Sequence, residues 1–198
     1  MKKTVCAILA AAAVSLTLVS CNNDTGDGYK KIESSTCEFY FEYPEDWANV
    51  YNEGILAIEK LNDPSGAKIV GHCFERDEEE LRKLNETREG ENYTAKDYWR
   101  DNYFPMLVNT YGEANITETA SEPKMYKEHE QVCVSYTKTL GDDVYNCKTI
   151  LILAQDRVCT LTLTQQVKNK DGEITAEDYT DVLMKCFETF EIKRGIVF

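Results

Sequence analysis

The amino-acid sequence predicts an α+β fold, a central antiparallel sheet flanked by helices. Three observations carry that expectation. Alternation of apolar and polar residues with a period of two marks 36–43 and returns after Gly112, with three long strands between 131 and 167, and two more strands at 54–60 and 67–75 are set off by turn residues. Two later stretches carry apolar residues at helical spacing, near 94–107 and 175–190. The resulting order of strands, helix, hairpin-linked strands and final helix is that of an antiparallel sheet with helices packed on it.

The first twenty residues, MKKTVCAILAAAAVSLTLVS, begin with Lys2 and Lys3 and run on as an apolar stretch broken by Ser15 and Thr17. A basic start, a short apolar run and small residues at a cut form the layout of a secretory signal. The apolar part is about 15 residues long, short of the about 20 that a bilayer-spanning helix needs. Leu18-Val19-Ser20-Cys21 resembles the lipobox of bacterial lipoproteins. That resemblance implies cleavage before Cys21 and acylation of its thiol and its new amino group. One acyl chain anchors a protein only marginally, whereas two or three hold it stably. Residues 22–35, NNDTGDGYKKIESS, are polar and without periodicity, so 21–35 reads as a lipidated flexible tether. Residues 36–198 then form a single domain.

Composition narrows the partners. The 198-residue chain has 22 basic and 35 acidic residues, a formal charge of −13. Loss of the two signal lysines takes this to −15, or (22 − 2) − 35. So acidic a domain excludes nucleic acid, whose phosphates need a basic face. It also disfavours docking on anionic head groups and leaves membrane attachment to the lipid on Cys21. Eight cysteines become six once Cys6 is removed and Cys21 acylated: Cys37, Cys73, Cys133, Cys147, Cys159 and Cys186. Six permit up to three disulfides in fifteen pairings. None forms C-x-x-C, and most sit in apolar segments, where a free thiol packs as a small hydrophobe.

In the first strand, 36–43, Cys37, Phe39, Phe41 and Tyr43 share one face, and Pro44-Glu45-Asp46 closes it before Trp47. Strands at 54–60 and 67–75 are joined by the turn residues Asn62-Asp63-Pro64-Ser65-Gly66. The charged stretch 75–92 reads as a wet surface holding a short helix. Thr94-Ala95-Lys96-Asp97 has the form of a capping box; the helix it opens carries Tyr98, Trp99, Met106 and Leu107 on one face and should be kinked or split at Pro105. Residues 116–119 and 124–127 are weak strands; 131–139, 144–154 and 157–167 are strong ones, joined by turns short enough for a meander of hairpins. Thr175-Ala176-Glu177-Asp178 opens a second helix, with Tyr179, Val182, Leu183, Cys186, Phe187 and Phe190 on one stripe.

Phe41-Glu42-Tyr43-Pro44-Glu45-Asp46-Trp47 resembles the opening of PsbP-like domains, with their aromatic strand, Tyr-Pro turn and Trp. The plan of residues 30–193 is similar too, through the helix near Tyr98-Trp99, the segment Cys159-Thr160-Leu161-Thr162-Leu163-Thr164 and the final Phe187-Glu188-Thr189-Phe190. The resemblance implies a PsbP-like α/β/α sandwich. Its members include photosystem accessory proteins and small bacterial lipoproteins. The mature cysteines and the acidic stretch depart from the family, and no family binding site is matched residue by residue.

Catalytic chemistry needs groups that move protons, attack a centre or hold a metal. His72 and Cys73, adjacent on a strand, point to opposite faces, and His129 lies among Lys127, Glu128 and Glu130. Neither spacing matches a zinc site. Asn169-Lys170-Asp171-Gly172 matches part of a calcium loop, but Val167 would stand at its first position and Asp178 at its twelfth. Tyr43, Pro44 and Trp47 read as core aromatics rather than a sugar platform. No nucleophile-elbow, zincin, P-loop or dinucleotide motif is present.

The reading is a lipid-anchored, extracytoplasmic, non-catalytic accessory or binding module of the bacterial cell envelope, with no cofactor and no metal. It would sit on the outer face of the cytoplasmic membrane or on an outer membrane, held by the lipid on Cys21, with another envelope protein or a small ligand as partner. The alternatives are a carboxylate-based surface hydrolase and a small-ligand or metal-binding lipoprotein.

Overall fold

The computed structural model describes residues 28–33, 37, 39–50, 55–76, 79, 82, 93–120, 124–126, 129–154 and 157–193. The signal segment, Cys21, most of the tether and the charged stretch after Arg76 (Arg82 and Glu79 apart) lie outside them. In the described part, strand residues outnumber helical ones by more than two to one. The expected α+β class, a central sheet flanked by helices in a PsbP-like α/β/α sandwich, is therefore corrected. A second sheet occupies much of the place expected for helices.

Strands β1 (Tyr29–Glu33), β2 (Phe39–Pro44) and the short β12 (Glu191–Ile192) make a three-stranded sheet in the order β1-β2-β12. Among the described residues the larger sheet has nine strands. Its path runs through β3 (Trp47–Asn49), β4 (Leu56–Lys60), β5 (Lys68–Glu75), β10 (Arg157–Asn169), β9 (Asp143–Leu153), β8 (His129–Leu140) and β6 (Ile116–Ala120). β7 (Lys124–Tyr126) also pairs with β8, and β11 (Gly172–Glu173) with β10. Every pairing between these strands is antiparallel. The meander of β8, β9 and β10 forms as predicted, with β8 and β9 in uninterrupted register from Leu140↔Asp143 to Glu130↔Leu153 and a register shift between β9 and β10 at Gln166/Lys168.

β1 was hidden in the tether because Ile32 is its single large aliphatic residue. Paired with β2 at Ile32↔Phe41, that residue is buried. β2 alternates as expected, with Phe39, Phe41 and Tyr43 inward. The Phe39 and Phe41 rings pack on the large sheet at Gly71, where an added Cβ would lie 2.8 Å from the first and 3.0 Å from the second. The glycine is what lets the two sheets approach.

The first helical region is built in three parts: α1 (Ala95–Tyr98), a π-helical turn (Trp99–Tyr103) and α2 (Phe104–Tyr111). Thr94 makes the expected capping box with Asp97. Pro105 has no N–H to donate, and the helix absorbs this by widening just before it, with the Phe104 N–H bonded back to the Trp99 carbonyl. The second helix, α3 (Thr180–Glu188), starts later than the Thr175 box predicts. Asp178 instead accepts from the Thr180 N–H at 2.9 Å. Residues 174–179 stay outside the helix, with Tyr179 as its N-cap residue and the Tyr179 hydroxyl bonded to Asp63.

Two cores result, one on each face of the large sheet. On one face Leu56, Ile58, Ile69, Ile150, Ile152 and Leu161 meet the inner side of the small sheet and the Leu183, Cys186, Phe187 stripe of α3. On the other, Val132, Val134, Leu151 and Val158 meet Trp99 and Leu107 of the first helical region.

Candidate functional site

Alternation in the meander sends its polar residues to the second face, beneath α2. Thr160, Thr162 and Thr164 of β10 project there, while Cys159, Leu161 and Leu163 enter the apolar core. Register places Thr162 opposite Thr149, Thr164 opposite Cys147, Cys147 opposite Tyr136 and Tyr145 opposite Lys138. α2 and the turn before it bring Tyr103 and Tyr111 down onto these rows. Tyrosine and threonine suit strands by shape, but buried hydroxyls must find partners.

They find them in one another. Thr149 is fully buried, and its Oγ1 lies 2.8 Å from that of Thr162 and 3.5 Å from the Tyr136 hydroxyl, to which it donates. Tyr103 is hydrogen-bonded to Thr160 and Thr162. The Cys147 thiol sits 3.8 Å from the Thr164 hydroxyl. Trp99 stacks on Tyr103 at 5.1 Å, lies 5.8 Å from the Tyr136 ring and donates its indole N–H to Glu118. At the outer end Lys138 holds its ammonium 5.0 Å from the centre of the Tyr111 ring and 5.3 Å from that of Tyr145.

The electrostatics define what this cluster can do. Burial pushes the Tyr103, Tyr111 and Tyr136 phenols above their ordinary range. Burial also pushes the Cys147 thiol up, against the opposing pull of Lys138, Thr164 and Tyr136. At neutral pH all four are therefore uncharged. They offer hydrogen bonds rather than a thiolate or phenolate nucleophile.

A second polar group closes the opposite side of the fold. Asp63 accepts from the Tyr179 hydroxyl at 2.6 Å and from the Ser65 N–H at 2.7 Å, and the Ser65 hydroxyl also donates to it. Desolvation raises the Asp63 carboxyl, but these bonds and one from the Ala67 backbone outweigh it and hold the pKa below its ordinary value. The Trp47 ring meets Tyr179 edge-on at 5.2 Å, and Gln165 donates to the Glu177 carbonyl at 2.7 Å. This cluster pins the β4–β5 loop to the approach to α3; its groups are spent on that task. Tyr43 and Trp47 are core residues, as read from the sequence.

Cys73 and Cys159 stand directly opposite on β5 and β10 and form a disulfide with Cα atoms 4.0 Å apart. Cys147 and Cys186 are free thiols, with Cys186 in the α3 stripe as its spacing predicts. His72 is exposed on the face opposite the disulfide, its ring 5.6 Å from that of Phe74, and partial desolvation lowers its pKa. His129 pairs with Tyr126 at the far end of β8. Among the described residues, no three of His, Cys, Asp and Glu converge as metal ligands. The Asn169 side chain accepts from the Asp171 N–H at 2.8 Å, which makes the calcium-like stretch a tight turn between β10 and β11. Cys21, the lipid-attachment residue read from the lipobox, lies outside the described residues.

Sequence reading overlooked Lys138, Tyr111, Tyr145 and Cys147. A signal existed for three of them: a two-residue Gly141-Asp142 turn fixes the β8–β9 register and with it the facing pairs Lys138↔Tyr145 and Tyr136↔Cys147.

No protein-family model matches the chain, and no curated protein matches it. Among solved structures it is similar in part to a crystal structure from Bacteroides thetaiotaomicron, at 13% identity and a TM-score of 0.49. The match covers 83% of this chain and 48% of that one, so the chain spans about half the length of that structure.

Proposed function

We propose that this chain is a lipid-anchored, non-catalytic binding or accessory module working outside the cytoplasm in a bacterial cell envelope. The observation that carries the reading is the Cys73–Cys159 disulfide, found in a chain that begins with a signal-like segment ending in Leu18-Val19-Ser20-Cys21. Disulfides persist in oxidising compartments and are rare in the reducing cytoplasm. A lipid on Cys21 would hold the domain at a membrane surface, on a tether ending at Tyr29, where β1 begins. The second face supports binding over catalysis, because its phenols and its thiol are neutral and already arranged as donors and acceptors.

Fractionation with metabolic palmitate labelling tests this. The wild-type chain should sediment with membranes and carry label, and Cys21→Ala should be soluble and unlabelled. Membrane retention of the unlabelled variant would overturn lipid anchoring at Cys21.

A further inference from the structure

We propose that the ammonium of Lys138, framed by Tyr111 and Tyr145 at the end of the helix–sheet interface, is the binding point for a small monocarboxylate. The inference rests on reading the domain as a binding module and adds the class of its ligand. All three side chains are half-buried, so the ammonium is shielded yet reachable. The ammonium lies 5.0 and 5.3 Å from two ring centres and also acts on the Cys147 thiol, while the Asp143 carboxylate is bonded to the Tyr145 hydroxyl; among the described residues Lys138 itself makes no ion pair. Carboxylates are the abundant partner in a chain with 35 acidic and 22 basic residues, yet this lysine is given aromatic rings instead.

Ring faces hold a cation without using its N–H groups as a hydrogen-bond acceptor would. An ammonium has three donors and no acceptor, so an incoming carboxylate oxygen finds donors still to be used. A single positive charge matches a single negative one. A dianion would bring an uncompensated charge into a strongly acidic protein and be repelled. The two tyrosine rings supply apolar walls for the organic part of the molecule.

The test is isothermal titration of the full chain in detergent with acetate, lactate and benzoate, and with benzamide and inorganic phosphate as controls. At least one of the three carboxylates should bind saturably. If benzoate binds, benzamide should bind at least tenfold more weakly, and phosphate should bind more weakly than the best carboxylate. Lys138→Met should weaken binding tenfold or more, and Lys138→Arg should retain most of it, with thermal unfolding confirming that both variants fold. The comparison with benzamide and phosphate reads the charge requirement on the wild-type chain and does not depend on either variant folding. Absence of saturable binding by all three carboxylates, tighter binding of phosphate, or unchanged binding by folded Lys138→Met would overturn the proposal. A chain that sediments through Cys21 but binds none of the three loses the ligand class and keeps the anchored module.

Discussion

On one face of the nine-stranded sheet, Leu56, Ile58, Ile69 and Leu161 close against Phe39, Phe41 and the stripe of α3. On the other, Thr149, Thr160, Thr162 and Cys147 share the interface with Leu151, Val132 and Trp99. Both faces are covered, but they are held differently. The first is sealed by apolar area and by close approach at Gly71, with the disulfide crossing its strands. The second buys its order through hydroxyls that satisfy one another, an arrangement that costs more to build and yields less stability per residue. The comparison teaches that the first face sets the stability of the domain, whereas the second carries, at its outer end, the Lys138 ammonium proposed for recognition.

The largest test of that division is removal of the disulfide. Cys73 and Cys159 are 86 residues apart, and cross-linking a loop of that length stabilises by about 4.6 kcal/mol in the chain-entropy account. Urea unfolding with and without reductant should show a large fall in midpoint, with mass spectrometry confirming two new thiols. An unchanged midpoint after confirmed reduction would remove the cross-link from the account of the first face. Next comes Gly71→Ala. The new methyl would stand 2.8 and 3.0 Å from the rings of Phe39 and Phe41, both almost fully buried and unable to yield freely. Overpacking of this kind costs about 1–3 kcal/mol. A variant as stable as the parent would mean that the two sheets are looser than the contact distances require.

How much of this division was legible beforehand depends on the length over which each signal runs. β8, β9 and β10 each run for eleven or more residues, so their two faces follow from counting in twos. β1 has five residues and one large aliphatic one, so nothing in it speaks of a strand until β2 lies beside it. The start of α3 was misplaced because Thr175 and Asp178 satisfy a local capping pattern, while Asp63 and Trp47, more than a hundred residues away, hold Tyr179 out of the helix. The Cys73–Cys159 pairing was one of fifteen possibilities because β5 and β10 meet through tertiary structure alone. Lys138 and Tyr145 could be read from the turn between their strands. Tyr111 could not, because no sequence rule fixes where a helix lands on a sheet.

Against the first face, the hydroxyl cluster should be tolerant. Tyr136→Phe removes a group that accepts from Thr149 at the long distance of 3.5 Å, and Thr149 keeps its 2.8 Å contact with Thr162. The loss should stay below about 1 kcal/mol by urea unfolding, near the net worth of one hydrogen bond. A loss as large as that from Gly71→Ala would show that the second face is as tightly specified as the first, and the comparison would fail.

The smallest effect at neutral pH, and the one with a sign that can be checked, belongs to Asp63. Its carboxyl is held below the ordinary value when folded, so the folded state binds its proton less readily than the unfolded chain does. The stabilisation is therefore complete above the unfolded pKa, near 4, and is lost as the pH falls through the lower folded value. Asp63→Asn can still accept a hydrogen bond from Tyr179 but cannot titrate. Its urea midpoint should fall modestly at neutral pH and decline less steeply than the parent below pH 4. Parallel acid limbs for the two proteins would mean that other carboxylates govern acid unfolding. A shallower limb in the variant would tie it to the loop that joins β4 to β5, on the border of the apolar face and away from the tyrosine cluster.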